Sequence, residues 1–451
     1  MTAPKLRILF VAADTGGCAY ARCHLPALGL NRLGGFEAKA VPRLAWDDLL
    51  HHDVIVWARQ HQNDLARYRE FARGMGKVLV FEIDDYLHGI PMWNPASRDY
   101  PKGGSALLGL EAWMKSCDAL TVSTRPLAEA YGAFNADVVV LPNSVDPGVW
   151  RPRPNLGPAV RIGWVGSITH RRDLQLLKPV LKAIRRRHHN VQFVMMGYDG
   201  DLRRQGIDLE YHPFVRIEEY PDALAELSLD IAMAPLDSHS FNLCKSNIKY
   251  LEYGALGIPC VASRFGPYLS IRSGETGFLA CSTEEWIETL SMLIDEAPLR
   301  RRIGAAAREH VLAEHDIHKT ARLWAGFYDR LASAKPGRKT AVAGGPLLAQ
   351  MHMLRAVEAI KHSNVREAID HMTRAREADS RNATVRLLLA EAFAASGMEA
   401  AAREEALASI ELAPAEAAIR ERASRILQES LAGARAGAAR RSPREPLTGE
   451  G

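Results

Sequence analysis

Short apolar runs alternate with polar segments of helical length over the first two thirds of the chain. Each run is only a few residues long, and the runs lie at residues 6–13, 54–57, 77–83, 119–122, 138–141, 161–165, 191–196, 231–234 and 260–263. Continuous runs of this kind are typical of strands buried on both faces of a parallel sheet. The helical segments between them supply the crossovers that parallel strands need. The pattern therefore predicts an α/β protein.

The alternation is interrupted by a proline-rich segment at residues 142–158. Proline fixes its own backbone angle and donates no hydrogen bond, so this segment predicts a stiff connector. On either side the chain is predicted to form a Rossmann-like lobe, residues 1–150 and residues 151–333. We expect the two lobes to face each other across a cleft, with ligands beyond the carboxyl ends of the strands.

A third region, residues 347–432, is predicted to be helical and carries an internal repeat with an offset of 34 residues. Ala356 recurs as Ala390, and Ala368 recurs as Ala402. This period is that of the tetratricopeptide helix-turn-helix. Two copies are few for a self-standing solenoid, because each unit buries its apolar face on a neighbour. We therefore expect the region to pack on the lobes, on another subunit or on a protein partner.

Two further segments are predicted to lack regular structure. Residues 334–346 are rich in Lys, Gly and Ala and are predicted to form a linker. Residues 433–451 are rich in Arg, Gly, Ala and Pro and are predicted to form a disordered tail.

Composition narrows the class of protein. The 451 residues are 47% hydrophobic and 24% charged, with a formal net charge of +4, which gives no reason to expect nucleic acid as a partner. No apolar run is long enough to span a membrane, and the first residues do not resemble a signal peptide. These features predict a cytoplasmic protein, with peripheral attachment to the inner face of the membrane left open. The six cysteines include no Cys-x-x-Cys pair, and no metal site is predicted.

The most informative segment runs from residue 230 to residue 263. A short apolar strand leads into a polar loop and then into a predicted helix from Lys245 to Leu256. Lys245 and Ser246 would stand at the helix N-terminus, where free N–H groups and the dipole favour a phosphate. Glu252, further along, could accept hydrogen bonds from ribose hydroxyls. The alternative is a solvated helix face with a Lys249–Glu252 pair.

This segment resembles a known family. From residue 242 it contains Asn-x-x-Lys-Ser-x-x-Lys-x-Leu-Glu-Tyr-x-Ala-x-Gly-x-Pro, which is similar to the donor-binding signature of family-4-type glycosyltransferases of the GT-B fold. The similarity is strongest to the branch found in bacterial surface-polysaccharide enzymes. Further matches lie at residues 82–86, 141–146, 163–174 and 266–268, and the resemblance spans residues 5–332.

The resemblance implies a set of ligands for a nucleotide sugar. Glu252 matches the glutamate that binds the ribose, and Gly166 and Ser167 match the tight loop at the diphosphate. Lys245 and Ser246 would stabilise the same diphosphate, and His170 would face the donor unless it is a solvent-exposed loop histidine. The residues assigned to donor binding are Gly16, Gly17, Gly166, Ser167, His170, Asn242, Ser246, Lys249 and Glu252.

The sequence departs from the family at one position. Many relatives carry Glu-x7-Glu, in which the first glutamate contacts the transferred sugar. Eight residues before Glu252 this chain has Cys244, flanked by Asn242 and Lys245. A thiol cannot replace a charged acceptor of sugar hydroxyls, so the identity of the donor sugar stays open.

The catalytic residues are predicted to be Asp84, Asp85 and Lys245. The two aspartates follow the apolar run at residues 77–83, and paired carboxylates can raise one pKa, which suits a general base or an acceptor-orienting group. The alternative is a helix N-cap beside a solvated acid. Gly16 and Gly17 follow the first strand and allow close approach of a ligand, or form a tight turn. Arg22 is a candidate contact for phosphate or acceptor.

The predicted function is transfer of a sugar from a UDP- or GDP-sugar to a hydroxyl of a glycan, lipid-linked or protein acceptor. The resemblance implies retention of configuration and a role in surface polysaccharide or glycoconjugate assembly. No cofactor or metal is expected, because Lys245 and fixed N–H groups would neutralise the departing diphosphate, with Arg171 as a further candidate. The alternatives are a nucleotide-sugar epimerase or phosphorylase with the same cleft, and a scaffold whose helical repeats recruit a partner.

Overall fold

The computed structural model describes residues 5–62, 65–334 and 345–439, which fall into two compact units. The first unit contains both predicted sheets, and the second contains the C-terminal helices. Within the described residues, no helix combines the length and the apolar character that crossing a bilayer requires.

The first sheet has six parallel strands in the order β2-β1-β3-β4-β5-β6. The strands are β1 (Leu6–Val11), β2 (Phe36–Val41), β3 (Val54–Ala58), β4 (Val78–Ile83), β5 (Ala119–Val122) and β6 (Val138–Val140). The helices are α1 (Gly17–Ala19), α2 (Leu25–Leu33), α3 (Trp46–His51), α4 (Ala66–Gly74), α5 (Ser105–Ser116) and α6 (Arg125–Tyr131). One turn of π-helix, Tyr20–His24, joins α1 to α2. Every residue of β3 and β4 is buried, as the continuous apolar runs predict.

The second sheet is also parallel, in the order β12-β11-β10-β7-β8-β9. Its strands are β7 (Val160–Gly166), β8 (Val191–Gly197), β9 (Glu210–His212), β10 (Ile231–Ala234), β11 (Cys260–Ser263) and β12 (Phe278–Ala280). Its helices are α7 (Arg171–Gln175), α8 (Leu177–Arg187), α9 (Tyr220–Glu226), α10 (Ser240–Leu243), α11 (Ile248–Ala255), α12 (Thr283–Asp295) and α13 (Ala297–Glu314). The prediction of two parallel sheets is confirmed.

The next helix, α14 (Ile317–Ser333), packs on the first sheet. Its Trp324 and Tyr328 rings lie 6.3 and 6.1 Å from the Phe10 ring of β1. Gly29 of α2 makes this contact possible, because a Cβ there would stand 2.8 Å from the Cβ of Ala321. The predicted boundary of the second lobe at residue 333 is therefore wrong, since α14 belongs to the core of the first sheet.

The chain crosses between the sheets twice, and the two crossings run side by side. The amide of Val145 donates to the carbonyl of His315 (2.8 Å), and the amide of Ile317 donates to the carbonyl of Val145 (2.9 Å). The connector after β6 and the segment before α14 thus form one hydrogen-bonded junction.

The second unit contains the helices α15 (Gly345–Lys361), α16 (Val365–Ala378), α17 (Ala383–Ala395), α18 (Glu399–Leu412) and α19 (Ala417–Ala439). All four alanines of the 34-residue repeat are buried in its cores. The tetratricopeptide assignment stays a prediction. Most of the predicted linker lies outside the described residues. The predicted tail overlaps the end of α19, which is helical to Ala439, and its remainder also lies outside the described residues.

Candidate active site between the two sheets

A cavity of about 350 Å³ lies between the carboxyl ends of the two sheets and continues into a recess of about 610 Å³. The loops after β1, β4 and β7 and the segment around α11 all reach it. The predicted site residues that line it are Gly16, Gly17, Asp84, Asp85, Gly166, Ser167, His170, Lys245, Ser246, Lys249 and Glu252. The fold thus brings together residues that are far apart in sequence, and Asn242 is the predicted ligand that is not among the lining residues.

The helix of the predicted donor signature begins later than expected. Asn247 is its N-cap and α11 starts at Ile248, so Lys245 and Ser246 precede the helix instead of forming its first turn. Side chains of the first lobe hold both residues: Lys245 Nζ lies 3.4 Å from Asp85 Oδ1, and Asn143 Nδ2 donates to Ser246 Oγ (2.9 Å). The helix end agrees with the prediction, since Gly257 adopts the left-handed conformation with φ of 71°.

Glu252 sits in an apolar part of the cavity. Its Oε2 accepts a hydrogen bond from the hydroxyl of Tyr220 (2.9 Å), whose ring lies against Phe214 and Trp150. Burial raises the pKa of Glu252 to about 7, although the positive charge of Lys249 and the Tyr220 hydroxyl both oppose the rise. About half of the Glu252 side chains therefore carry a charge at neutral pH. One oxygen, Oε1, has no protein donor among the described residues.

Lys249 reaches the end of β7. Its Nζ donates to the carbonyl of Val165 (2.5 Å) and lies 5.0 Å from the centre of the Trp164 ring. A Cβ at Gly166 would stand 2.6 Å from the Trp164 ring and 2.7 Å from that Nζ, so the glycine leaves space for both side chains. Burial lowers the pKa of Lys249 to about 8, against the opposing attraction of Glu252. The ammonium group is charged at neutral pH and lines the cavity.

His170 is largely buried and lines the cavity, so its assignment as a solvent-exposed loop histidine is wrong. Its Nδ1 lies 2.7 Å from Asp173 Oδ2. The neighbouring Arg171 does not line the cavity, because it is 63% exposed and pairs with Asp201 at 2.9 Å. The expectation that Arg171 would neutralise a diphosphate is therefore wrong.

Asn242 lies behind the cavity wall instead of in it. Its side chain is buried, and its Nδ2 donates to Asp173 Oδ1 (3.0 Å) and to the carbonyl of Asp237 (3.0 Å). An amide with both protons bound to protein atoms is not available to a nucleotide. The assignment of Asn242 as a direct ligand is thus wrong, and its part is to fix the loop between β10 and α11.

Asp84 and Asp85 stand at the end of β4, and the two pKa values move apart as expected for paired carboxylates. Burial opposes ionisation of Asp84, but the Arg59 guanidinium, 3.8 Å away, a hydrogen bond with Cys18 and the charge of Arg22 together outweigh it and lower the pKa. Burial raises the pKa of Asp85, and Lys245 offsets this only in part. Neither aspartate caps the short 3-10 turn that follows, Leu87–Gly89, whose N-cap is Tyr86. Asp85 is therefore the better proton acceptor of the two.

Arg22 is a structural residue and not a phosphate contact. It is 2% exposed and makes a bidentate pair with Glu82 of β4, at 2.7 and 3.0 Å. Its remaining nitrogen donates to the carbonyl of Leu141 (2.6 Å) and to Asn143 Oδ1 (2.9 Å). Arg22 lies in the π-helical turn and is not among the residues that line the cavity.

Cys244 does not take the place of a sugar-binding carboxylate. The residue is buried, is not among the lining residues, and its carbonyl accepts a hydrogen bond from Thr124 Oγ1 (2.8 Å). Burial raises the pKa of its thiol to about 11, so it is uncharged at neutral pH.

Sequence reasoning missed the apolar wall of the cavity. The residues that form it are Tyr20, Trp150, Phe214, Ile217 and Tyr220. They belong to loops and short helices without periodicity, and single aromatic residues are more often packing than ligand contacts. The signal available was Tyr220-Pro221 at the start of a helix, which indicates a helix start but no function.

Residues 159–296 match the family described as glycosyl transferases group 1. Two curated relatives are D-inositol 3-phosphate glycosyltransferases. The one from Corynebacterium diphtheriae is 34% identical over 84 residues, 18% of either chain, and the one from Nocardiopsis dassonvillei is 25% identical over 247 residues, 48% of this chain and 56% of that protein. The chain thus spans about half, or less, of the length of these relatives.

Two solved structures share the fold. Anabaena HepE, in a crystal with UDP and glucose, has a TM-score of 0.52 at 11% identity and covers 72% of this chain and 99% of its own. Sucrose-phosphate synthase from Thermosynechococcus elongatus has a TM-score of 0.50 at 14% identity and covers 73% of this chain and 100% of its own. These likenesses establish that the two sheets are arranged as in GT-B proteins.

Proposed function

We propose that this protein is a glycosyltransferase that moves a sugar from a UDP- or GDP-sugar to an acceptor hydroxyl. The observation that carries the proposal is one cavity lined by Glu252, Lys249, Lys245 and the Asp84–Asp85 pair. Glu252 and Lys249 also line the recess, whereas Lys245 pairs with Asp85. The Glu252 carboxylate suits a pentose, and the ammonium groups of Lys249 and Lys245 suit a diphosphate. The Asp84–Asp85 pair suits the sugar and its acceptor. The family match of the second lobe and the UDP in the HepE crystal support the same assignment.

In the proposed reaction, different residues of the cavity bind the donor, accept the proton and stabilise the leaving group. Glu252 Oε1 would accept hydrogen bonds from ribose hydroxyls, and the backbone of Gly166 and Ser167 would lie along the diphosphate. The bond from the anomeric carbon to the diphosphate breaks, a bond to the acceptor oxygen forms, and the acceptor proton passes to Asp85. Lys249 and Lys245 stabilise the negative charge that develops on the departing diphosphate. The resemblance in sequence favours retention of configuration.

The resemblance to family-4-type glycosyltransferases also supports a proposal about the biological role of the reaction. We place the reaction in bacterial surface-polysaccharide or glycoconjugate assembly on the cytoplasmic side, with a glycan, lipid-linked or protein acceptor and with the helical unit as a site for a protein partner. The two lysines make a divalent cation unnecessary on this mechanism, so turnover in excess EDTA should equal turnover in Mg²⁺. Loss of turnover with EDTA and its return with Mg²⁺ would remove this part of the proposal.

The test is a thermal-shift screen of nucleotides and nucleotide sugars, followed by product analysis with the donor that binds. A ligand that binds only the folded protein raises the melting temperature by mass action. UDP or GDP should raise it, and AMP should not. Conversion of the donor without any acceptor would favour the epimerase, and no shift with any nucleotide would refute the proposal.

Tyr220 gives a pH-dependent prediction. Nucleotide binding needs the Glu252 carboxylate, which is lost as the pH falls through about 7, and the Lys249 ammonium, which is lost as the pH rises through about 8. These two groups by themselves make UDP affinity greatest between these values. Tyr220→Phe removes a hydrogen bond that favours the charged carboxylate, so the acid limb should move to higher pH. The affinity for UDP is measured by titration between pH 5.5 and 9, roughly the range in which these groups change charge. In Glu252→Gln the acid limb should be absent. An unmoved limb in Tyr220→Phe would contradict the role of this hydroxyl.

A further inference from the structure

Asp173 is a buried carboxylate that the proposed reaction does not use directly. It is 2% exposed, and its two oxygens accept three hydrogen bonds, from His170 Nδ1 (2.7 Å), the amide of Asp237 (2.7 Å) and Asn242 Nδ2 (3.0 Å). A buried charge is retained only with such partners. Three separate segments, the loop after β7, the end of β10 and α10, thus converge to hold one carboxylate against one imidazole.

This arrangement orients the imidazole. With Nδ1–H donated to Asp173, Nε2 carries the lone pair, and no partner for Nε2 is seen among the described residues. The ring edge packs against Trp164 (6.1 Å between centres), and His170 lines both the cavity and the recess. A histidine held by a carboxylate through one nitrogen is set up to exchange a proton through the other.

Three charged groups face His170: Asp173 from α7, Lys249 from α11 and Lys245 from the segment before α11. Burial lowers the pKa of His170 to about 4, with the two lysines acting in the same direction and Asp173 opposing them. The imidazole is therefore neutral in the free protein. A bound diphosphate would bring negative charge next to this nitrogen and reverse the balance.

Both lysines already have acceptors within the protein. Lys249 Nζ donates to the carbonyl of Val165, and Lys245 Nζ pairs with Asp85. A departing diphosphate therefore competes with existing partners for these two cations. Within the part of the chain that the structure describes, Nε2 of His170 has no such competing partner.

We infer that His170 is a catalytic proton donor to the departing diphosphate, and that Asp173 and Asn242 position it. The inference rests on the proposed function. His170 takes a proton from solvent when the nucleotide sugar binds. As the bond to the anomeric carbon breaks, its electron pair stays on the phosphate oxygen, which receives the Nε2 proton. The acceptor proton passes to Asp85 and then to solvent, which balances the proton that His170 took up, and a net proton is released only when the protonated nucleotide product ionises.

The first test is proton uptake, measured by calorimetric titration of UDP and GDP at pH 7 in buffers of different ionisation enthalpy. The wild-type protein should take up about one proton more per nucleotide than His170→Asn, because the contributions of Glu252 and Lys249 are common to both. His212→Asn is the matched control, since His212 also pairs with a carboxylate, Glu210 (2.6 Å), but does not line the cavity. Equal uptake in wild type and His170→Asn overturns the inference, whereas absence of any binding heat refutes the proposed function itself.

The second test separates positioning from structural support. In wild type, kcat should fall at alkaline pH as the imidazolium of the complex loses its proton. Lys249 also loses its proton at alkaline pH, so His170→Asn should lose only the imidazolium's part of this limb and keep the fall that Lys249 causes. Asp173→Asn should move the imidazolium's part to lower pH while the donor KM changes little, because the carboxylate no longer supports the charged ring. Asp173→Glu should restore part of the wild-type pH profile. This variant replaces Asp173→Asn in the test if Asp173→Asn has a low melting temperature. A wild-type profile in Asp173→Asn or in His170→Asn overturns the inference.

Discussion

Replacing Glu252 by glutamine should weaken UDP binding by about 10- to 100-fold, since a hydrogen bond to a charged group contributes roughly 1.5–3 kcal/mol. The variant keeps the shape of the side chain and its bond from Tyr220, but it removes the charge that accepts the ribose hydroxyls. Because burial of the wild-type carboxylate is costly, as its raised pKa indicates, the variant should fold at least as stably. Calorimetric titration with UDP measures the affinity, and thermal melting measures the stability.

The matched control is Glu226→Gln on α9, a surface glutamate that pairs with Arg153 at 3.1 Å and does not line the cavity. It should bind UDP as the wild type does. If Glu252→Gln binds UDP with unchanged affinity, the ribose does not contact α11. The proposed orientation of the nucleotide in the cavity would then be wrong.

Lys249→Met should lower kcat by about 100- to 1,000-fold, the range found when one preorganised donor to a developing negative charge is removed. The methionine fills the same space beside Trp164 and Gly166, and it relieves the desolvation that lowers the lysine pKa. The variant also loses the hydrogen bond to the carbonyl of Val165, which opposes this gain, so the melting temperature should change little while the activity falls. Such a split between stability and turnover is the sign of a catalytic cation, because a structural cation would lower both.

Lys182→Met, on the exposed face of α8, is the control and should turn over normally. Lys249→Arg should rescue little, because Nζ is already enclosed by the carbonyl of Val165 at 2.5 Å and by the Trp164 ring at 5.0 Å, which leaves little room for the larger guanidinium. Full activity in Lys249→Met would show that the diphosphate lies elsewhere in the cavity.

The sheets and their order along the chain were predictable because buried parallel strands are apolar on both faces. Three of the four edge strands were not: β2 alternates buried and exposed residues, and β9 and β12 are only three residues long. Gly257 was predictable at the end of α11, since glycine followed by proline after a helical segment indicates a left-handed cap. The helix start was not, because Lys245 and Ser246 are held by Asp85 and Asn143 of the other lobe.

Contacts between distant parts of the chain also explain why Arg22 and Asn242 were wrongly assigned as ligand contacts. Arg22 follows a glycine pair at the end of a strand, which is a good position for a phosphate contact, but its partner Glu82 lies sixty residues away in sequence. Asn242 belongs to the donor signature, but only the fold shows that Asp173 and Asp237 occupy its amide. Spacing along a chain identifies residues that meet within one element, whereas partners from distant strands are set by tertiary packing.

The return of α14 to the first sheet constrains how the two halves can be recombined. A chimera made by joining residues 1–150 to another protein's donor half would lack Trp324 and Tyr328. Phe10 and the apolar face of the first sheet around it would then be exposed. A functional exchange has to transplant residues 317–333 together with the first lobe, so the natural unit of recombination is discontinuous in sequence.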